Sequence, residues 1–86
     1  MNRQQLLVAL DREYSNIYEF TDRFGDAPLN ILDEFTETAG LGDEAFELLE
    51  SQIDEIDPTT LSDDVLAKLL RVYQDVVQEC IFELQD

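Results

Sequence analysis

Residues 62–84 read SDDVLAKLLRVYQDVVQECIFEL, and this segment gives the clearest indication of the fold. Apolar residues recur in it every three or four positions, a period that predicts an amphipathic helix. Ser62 is suited to cap the helix, and Asp63 and Asp64 would lie in its positive first turn. At about 100° per residue the apolar side chains cover roughly half the circumference, more than one neighbouring helix can bury. We therefore expect this helix to be central, or to line a homodimer contact as well.

The same period predicts two helices in the first half of the chain. The first is a long helix capped by Asn2 and ended by Gly25. The second is shorter and begins at residues 26–28, because Pro28 fits a first helical turn, and it ends at Gly40. A third, also short, begins at Asp43 as its cap.

This third helix is expected to end at Asp57, since Pro58 disfavours helical geometry in the residue before it. No alternating pattern of a strand competes with the helical period, so the fold class is all-α. We expect a compact four-helix domain over residues 1–86, with two long terminal helices of about 22 residues and two short helices between. The residues expected to face the core in the first three helices are Leu6, Leu7, Leu10, Tyr14, Ile17, Tyr18, Thr21 and Phe24, then Leu29, Leu32, Phe35 and Ala39, and then Phe46, Leu49, Ile53 and Ile56.

The charge of the chain is large and unevenly distributed. Asp and Glu number 21 against 5 Lys and Arg, for a net charge of −16. Residues 1–24 hold four acids and three bases and residues 65–86 hold four and two, whereas residues 25–64 hold thirteen acids and no base. We call residues 25–64 the acidic segment. Solvated helices usually mix signs, because like charges one turn apart cost a few tenths of a kcal/mol per pair.

The acids of the two short helices are the candidate partner-binding residues. They form a stripe along the third helix, with two flanking acids, and a second row on the second helix. Duplex DNA carries one charge per ~1.7 Å, so thirteen charges match the number on about 22 Å of duplex. The stripe is Asp43, Glu47, Glu50, Asp54 and Asp57, its flanking acids are Glu44 and Glu55, and the second row is Asp33, Glu34 and Glu37.

Catalytic and cofactor chemistry find little support in the sequence. The chain has no His, which removes the usual general base and commonest metal ligand, and its one cysteine, Cys80, falls among core positions. The acidic stretch before the last helix lacks the glycine and spacing of a calcium-binding loop. No serine lies in the Asp-Ser-Leu setting of acyl carrier proteins. We expect no catalytic residues, no metal and no cofactor.

Composition also bears on partners and location. A net charge of −16 repels nucleic acid and anionic membranes, so direct binding to either is not expected. No apolar run approaches the ~18 residues of a spanning helix, and the amino terminus does not resemble a secretory signal. We expect a cytoplasmic protein, in the host cytoplasm if it is encoded by a phage.

In charge and size the chain resembles the DNA-mimic inhibitors that phages use against restriction or CRISPR machinery. The resemblance implies a non-enzymatic protein whose acidic ridge fills the basic groove of a nuclease, CRISPR effector or restriction enzyme. An immunity or antitoxin protein that neutralises a basic nuclease toxin is the alternative, and it would depend on aromatic anchors. A homodimer formed through the last helix is a third hypothesis, and acidity for solubility alone is the plainest one.

Overall fold

The computed structural model describes residues 2–54 and 61–84, the side chains of residues 51–54 excepted. Within these ranges the chain forms four helices and no strand: α1 (Arg3–Phe24), α2 (Ala27–Thr38), α3 (Gly42–Asp54) and α4 (Asp63–Leu84). The predicted fold class, with two long terminal helices and two shorter ones between, is confirmed. The predicted end of α3 at Asp57 and the turn at Pro58 lie outside the described residues.

Side-chain caps begin the two long helices where the sequence predicts them. The side chain of Asn2 accepts a hydrogen bond from the backbone of Gln5 at 2.8 Å, and the Gln5 side chain accepts one from the Asn2 backbone at 3.0 Å. The Ser62 hydroxyl accepts a hydrogen bond from the Val65 backbone at 3.2 Å. The prediction that Asp43 caps α3 is wrong. The helix already begins at Gly42, so Asp43 lies inside the first turn, where its negative charge interacts favourably with the positive end of the helix.

Helices α1 and α4 pack side by side in the same direction. The guanidinium of Arg3 donates a hydrogen bond to the Asp63 carboxylate at 2.8 Å, which joins the first turns of both helices. About three turns further along, Tyr14 lies close enough to Tyr73 to raise the pKa of the Tyr73 phenol, although burial is the larger cause. Two contacts, separated by nearly the same distance along each helix, indicate the parallel arrangement.

The broad apolar face of α4 is buried within a single chain. Leu66, Leu69, Tyr73 and Val76 are fully buried, and α1 and α2 both pack on this helix. The prediction that α4 is central is therefore confirmed. Of the large apolar side chains of α4, Ile81 and Phe82 on the last turn are exposed.

Four side chains expected in the core are instead exposed, and the three that belong to the short helices share one physical cause. In each short helix the buried face is centred on smaller residues than the pattern of large apolar residues suggests. Pro28 and Thr36 of α2 and Ala45 of α3 are buried, and small side chains let neighbouring helices approach closely. The exposed residues are Tyr18, Leu29, Ala39 and Phe46.

The connection between α1 and α2 depends on a glycine. Gly25 has φ 71° and ψ −136°, a region that residues with a Cβ avoid, and no atom lies within 4 Å of a Cβ added there. Gly25→Ala should therefore lower the free energy of unfolding by about 2 kcal/mol through the backbone alone. Gly42→Ala, in the first turn of α3 and 3.7 Å from the Glu37 side chain, should raise it by about 0.5 kcal/mol. Urea unfolding of both variants checks the pair, and equal effects would contradict it.

Tyr73 carries a buried hydroxyl with no hydrogen-bond partner among the described residues. Burying an unpaired hydroxyl costs about 1 kcal/mol or more, so Tyr73→Phe should leave stability unchanged or raise it by about 1 kcal/mol. Tyr18→Phe is the control, because Tyr18 is 55% exposed. Thermal unfolding measures both variants. A clear loss of stability in Tyr73→Phe would show that this hydroxyl is paired.

Candidate acidic interface of helices α2 and α3

The acids of α2 lie on its outward arc. Asp33, Glu34 and Glu37 are all exposed, while Leu32 and Thr36 on the opposite arc are buried. The three acids span about 100° of the helix wheel, at 100° per residue. Because no Lys or Arg occurs in residues 25–64, any neutralising cation must come from another helix or from outside the chain.

The acids of α3 also face outward where the structure describes them. Asp43, Glu47 and Glu50 are exposed, and Glu44 is half-buried on the flank, as the spacing predicts. The side chain of Asp54 and the whole of Glu55 and Asp57 lie outside the described residues. Ala45 and Leu48, about half a turn away from this row, bury the opposite face of the helix.

Only some of the acids of α2 lie next to α3. Asp33 faces α3 and lines a groove between the two helices, and the Cγ atom of Glu37 lies 3.7 Å from the Cβ position of Gly42. Glu34 faces the other way and shares a shallow hollow of about 430 Å³ with Asp75 of α4. The structure thus brings Asp33 and Glu37 beside α3 and extends the acidic surface towards α4 through Glu34.

The groove between α2 and α3 is a candidate binding feature that the sequence analysis missed. It has a volume of about 240 Å³, and its lining is mostly apolar. Phe46 is 61% exposed and Leu29 37% exposed at its edge. A signal for it was present: Leu41, Ala45 and Leu48 recur at steps of four and three and mark the buried face, which leaves Phe46 outside the core.

Two basic residues, Arg3 and Arg23, make contacts outside α2 and α3. Arg3 pairs with Asp63 at the start of α4, and Arg23 lies over the Phe24 ring, 5.2 Å from its centroid. Two contiguous helices therefore present carboxylates with no base in their own sequence. Such a surface attracts cationic groups, and it does so over longer distances at low salt.

Other chemistry has no visible site in the described part of the chain. Cys80 is fully buried, and its pKa is raised by this burial and by the neighbouring Glu79, which keeps the thiol protonated and unreactive. Within residues 2–54 and 61–84, no three Asp, Glu, Cys or His side chains are grouped so that they could hold a metal ion. No described helix is long and apolar enough to cross a membrane.

Comparison with family models, with curated proteins and with solved structures finds no match for this chain.

Proposed function

We propose that this protein is a non-enzymatic inhibitor that imitates nucleic acid and occupies the basic groove of a nucleic-acid-handling protein. The observation that carries the proposal is the segregation of charge: residues 25–64 hold thirteen acids and no base. A net charge of this size weakens the compact state by self-repulsion, so a surface made for solubility alone would gain from mixed signs.

The exposed carboxylates support this proposal by their position. Asp33 and Glu37 lie beside α3, and Asp43, Glu47 and Glu50 face outward from it. Lysine and arginine side chains that normally hold phosphates would meet these carboxylates as charge-assisted pairs. The target is then a nuclease, a CRISPR effector or a restriction enzyme, as expected for a phage-type anti-CRISPR or anti-restriction protein acting in the host cytoplasm.

Affinity capture followed by competition tests the proposal. The tagged chain is incubated with bacterial lysate at low salt, and bound proteins are eluted with duplex DNA, with RNA or with salt. We expect a basic nucleic-acid-binding protein to be released by DNA or RNA, because the two ligands compete for one groove. A partner that neither nucleic acid displaces, and that still binds its own substrate in the complex, would contradict the proposal.

An immunity or antitoxin protein that neutralises a basic nuclease toxin is the second candidate. Phe46 and Phe82, which are 61% and 73% exposed, favour it because aromatic anchors dominate specific protein interfaces. Such a protein can bind beside the catalytic site and leave nucleic-acid binding intact. The same competition experiment therefore separates the two candidates, since only the mimic is displaced by nucleic acid.

A further inference from the structure

The groove between α2 and α3 combines an apolar lining with acidic edges. Leu32, Ala45 and Thr36 are buried beneath it, and Leu29 and Phe46 are exposed at its edge. The hydroxyl of Thr36 is turned back to the helix, where the carbonyl oxygens of Leu32 and Asp33 accept its hydrogen bond at 2.9 and 3.0 Å. The buried floor of the groove therefore offers no free hydroxyl.

Asp33 lines this groove, and helical spacing places further carboxylates beside its lining residues on both helices. On α2, Leu29, Asp33 and Glu37 follow one another one turn apart, so the acids continue the line of the apolar residue. On α3, Phe46 lies three residues after Asp43 and four before Glu50, so both acids are its neighbours on the helix surface. An apolar slot lies between two acidic edges.

The size of the groove limits what can occupy it. Small-molecule sites usually have about 300 to 1,000 Å³, and this groove has about 240 Å³. It has room for one large apolar side chain, and its acidic edges favour positive charges on either side of that side chain. Nucleic acid does not fit these requirements, because its backbone is negatively charged like the edges of the groove.

We propose that this groove binds a basic amphipathic helix of the target protein, with one aliphatic side chain seated against Phe46 and flanking lysines or arginines paired with Asp33, Asp43 and Glu50. The inference rests on the proposed function, because it takes the target to be basic. It adds that recognition is not by charge alone. The apolar contact selects one target among the many basic proteins of a cell, which a bare carboxylate surface would attract without distinction.

The test uses two labelled synthetic peptides of about 15 residues, long enough to form a helix on binding. In the first, leucines recur every three or four residues among lysines; in the second, serines replace the leucines and the charge is unchanged. Fluorescence anisotropy measures their affinities for the protein at about 50 and 300 mM NaCl. We expect the leucine peptide to bind at least about tenfold more tightly, a ratio that burial of one leucine side chain supplies. The ratio should persist at the higher salt.

Two variants locate the binding. Phe46→Ala should reduce the preference for the leucine peptide to about twofold or less. Phe82→Ala removes an exposed aromatic outside the groove and should leave the preference intact. Circular dichroism confirms that both variants are folded.

Equal affinities of the two peptides, weak binding of both, or a preference that survives Phe46→Ala would overturn the groove as a docking site. These results are distinguishable from failure of the proposed function. The protein could release its target to DNA and yet not distinguish the two peptides. That result would support imitation of nucleic acid and contradict only the proposed docking in the groove.

Discussion

Reversing Glu34, Glu37 and Glu50 to lysine should weaken binding to the captured target by at least about a hundredfold. Each reversal replaces an attraction of about 1 kcal/mol in water by a repulsion of similar size, so three of them exceed the roughly 2.8 kcal/mol that a hundredfold represents. The three residues are exposed and span both short helices, and only their charge is expected to matter. Isothermal titration calorimetry against the purified target at low and high salt measures the loss.

The matched control reverses three exposed acids outside the acidic segment, Asp11, Glu19 and Glu83. Each reversal adds two positive charges, so in both variants the net charge changes from −16 to −10. The net charge falls equally in both and stays negative, so neither variant is expected to unfold through added repulsion. If position on α2 and α3 matters, the control should keep most of its affinity. Equal losses in the two variants would mean that total charge, and not the acidic segment, determines binding.

Truncating a fully buried leucine of α4 should have the largest effect on stability. Leu66 is fully buried in the core, and Leu66→Ala removes its side chain from the packing of the central helix. Such substitutions cost about 3 kcal/mol, a large part of the stability of a small domain, and should lower the thermal midpoint by about 15 °C. Differential scanning calorimetry measures this change.

Phe82→Ala is the control on the same helix. Its side chain is larger than that of Leu66 but is 73% exposed, so the change in unfolding free energy should stay within about 0.5 kcal/mol. A large loss for Phe82→Ala would mean that the last turn of α4 is covered in solution, as a homodimer formed through this helix would require. Comparing the two variants therefore also tests that hypothesis.

The sequence predicted the fold because its strongest signals are local. Asn2 and Ser62 cap α1 and α4, glycines end α1 and follow α2, and the wide apolar face of α4 indicated a central helix. It was harder to predict which face of each short helix is buried. Their core positions include Thr36 and Ala45, whose burial depends on how closely helices approach and not on their own hydrophobicity.

The candidate site was predicted in its charge but not in its shape. The spacing of Asp43, Glu47 and Glu50 placed them on one outward face, and the structure agrees. The groove was missed because Phe46 was expected to lie in the core, although the spacing of Leu41, Ala45 and Leu48 marked another face of α3 as the buried one. Whether a phenylalanine fills a core or edges a groove depends on how α2 and α3 pack, and this is a property of two helices together.

The parallel contact between α1 and α4 determines when this protein can fold. Arg3 and Asp63 are separated by 60 positions in the chain, and the core of the molecule forms between its first and last helices. During synthesis on the ribosome, Leu6 and Leu10 of α1 therefore stay exposed to solvent until α4 has emerged from the exit tunnel and can pack on them. Most of the chain's negative charge emerges in that interval, and mutual repulsion between nascent chains would then oppose their aggregation.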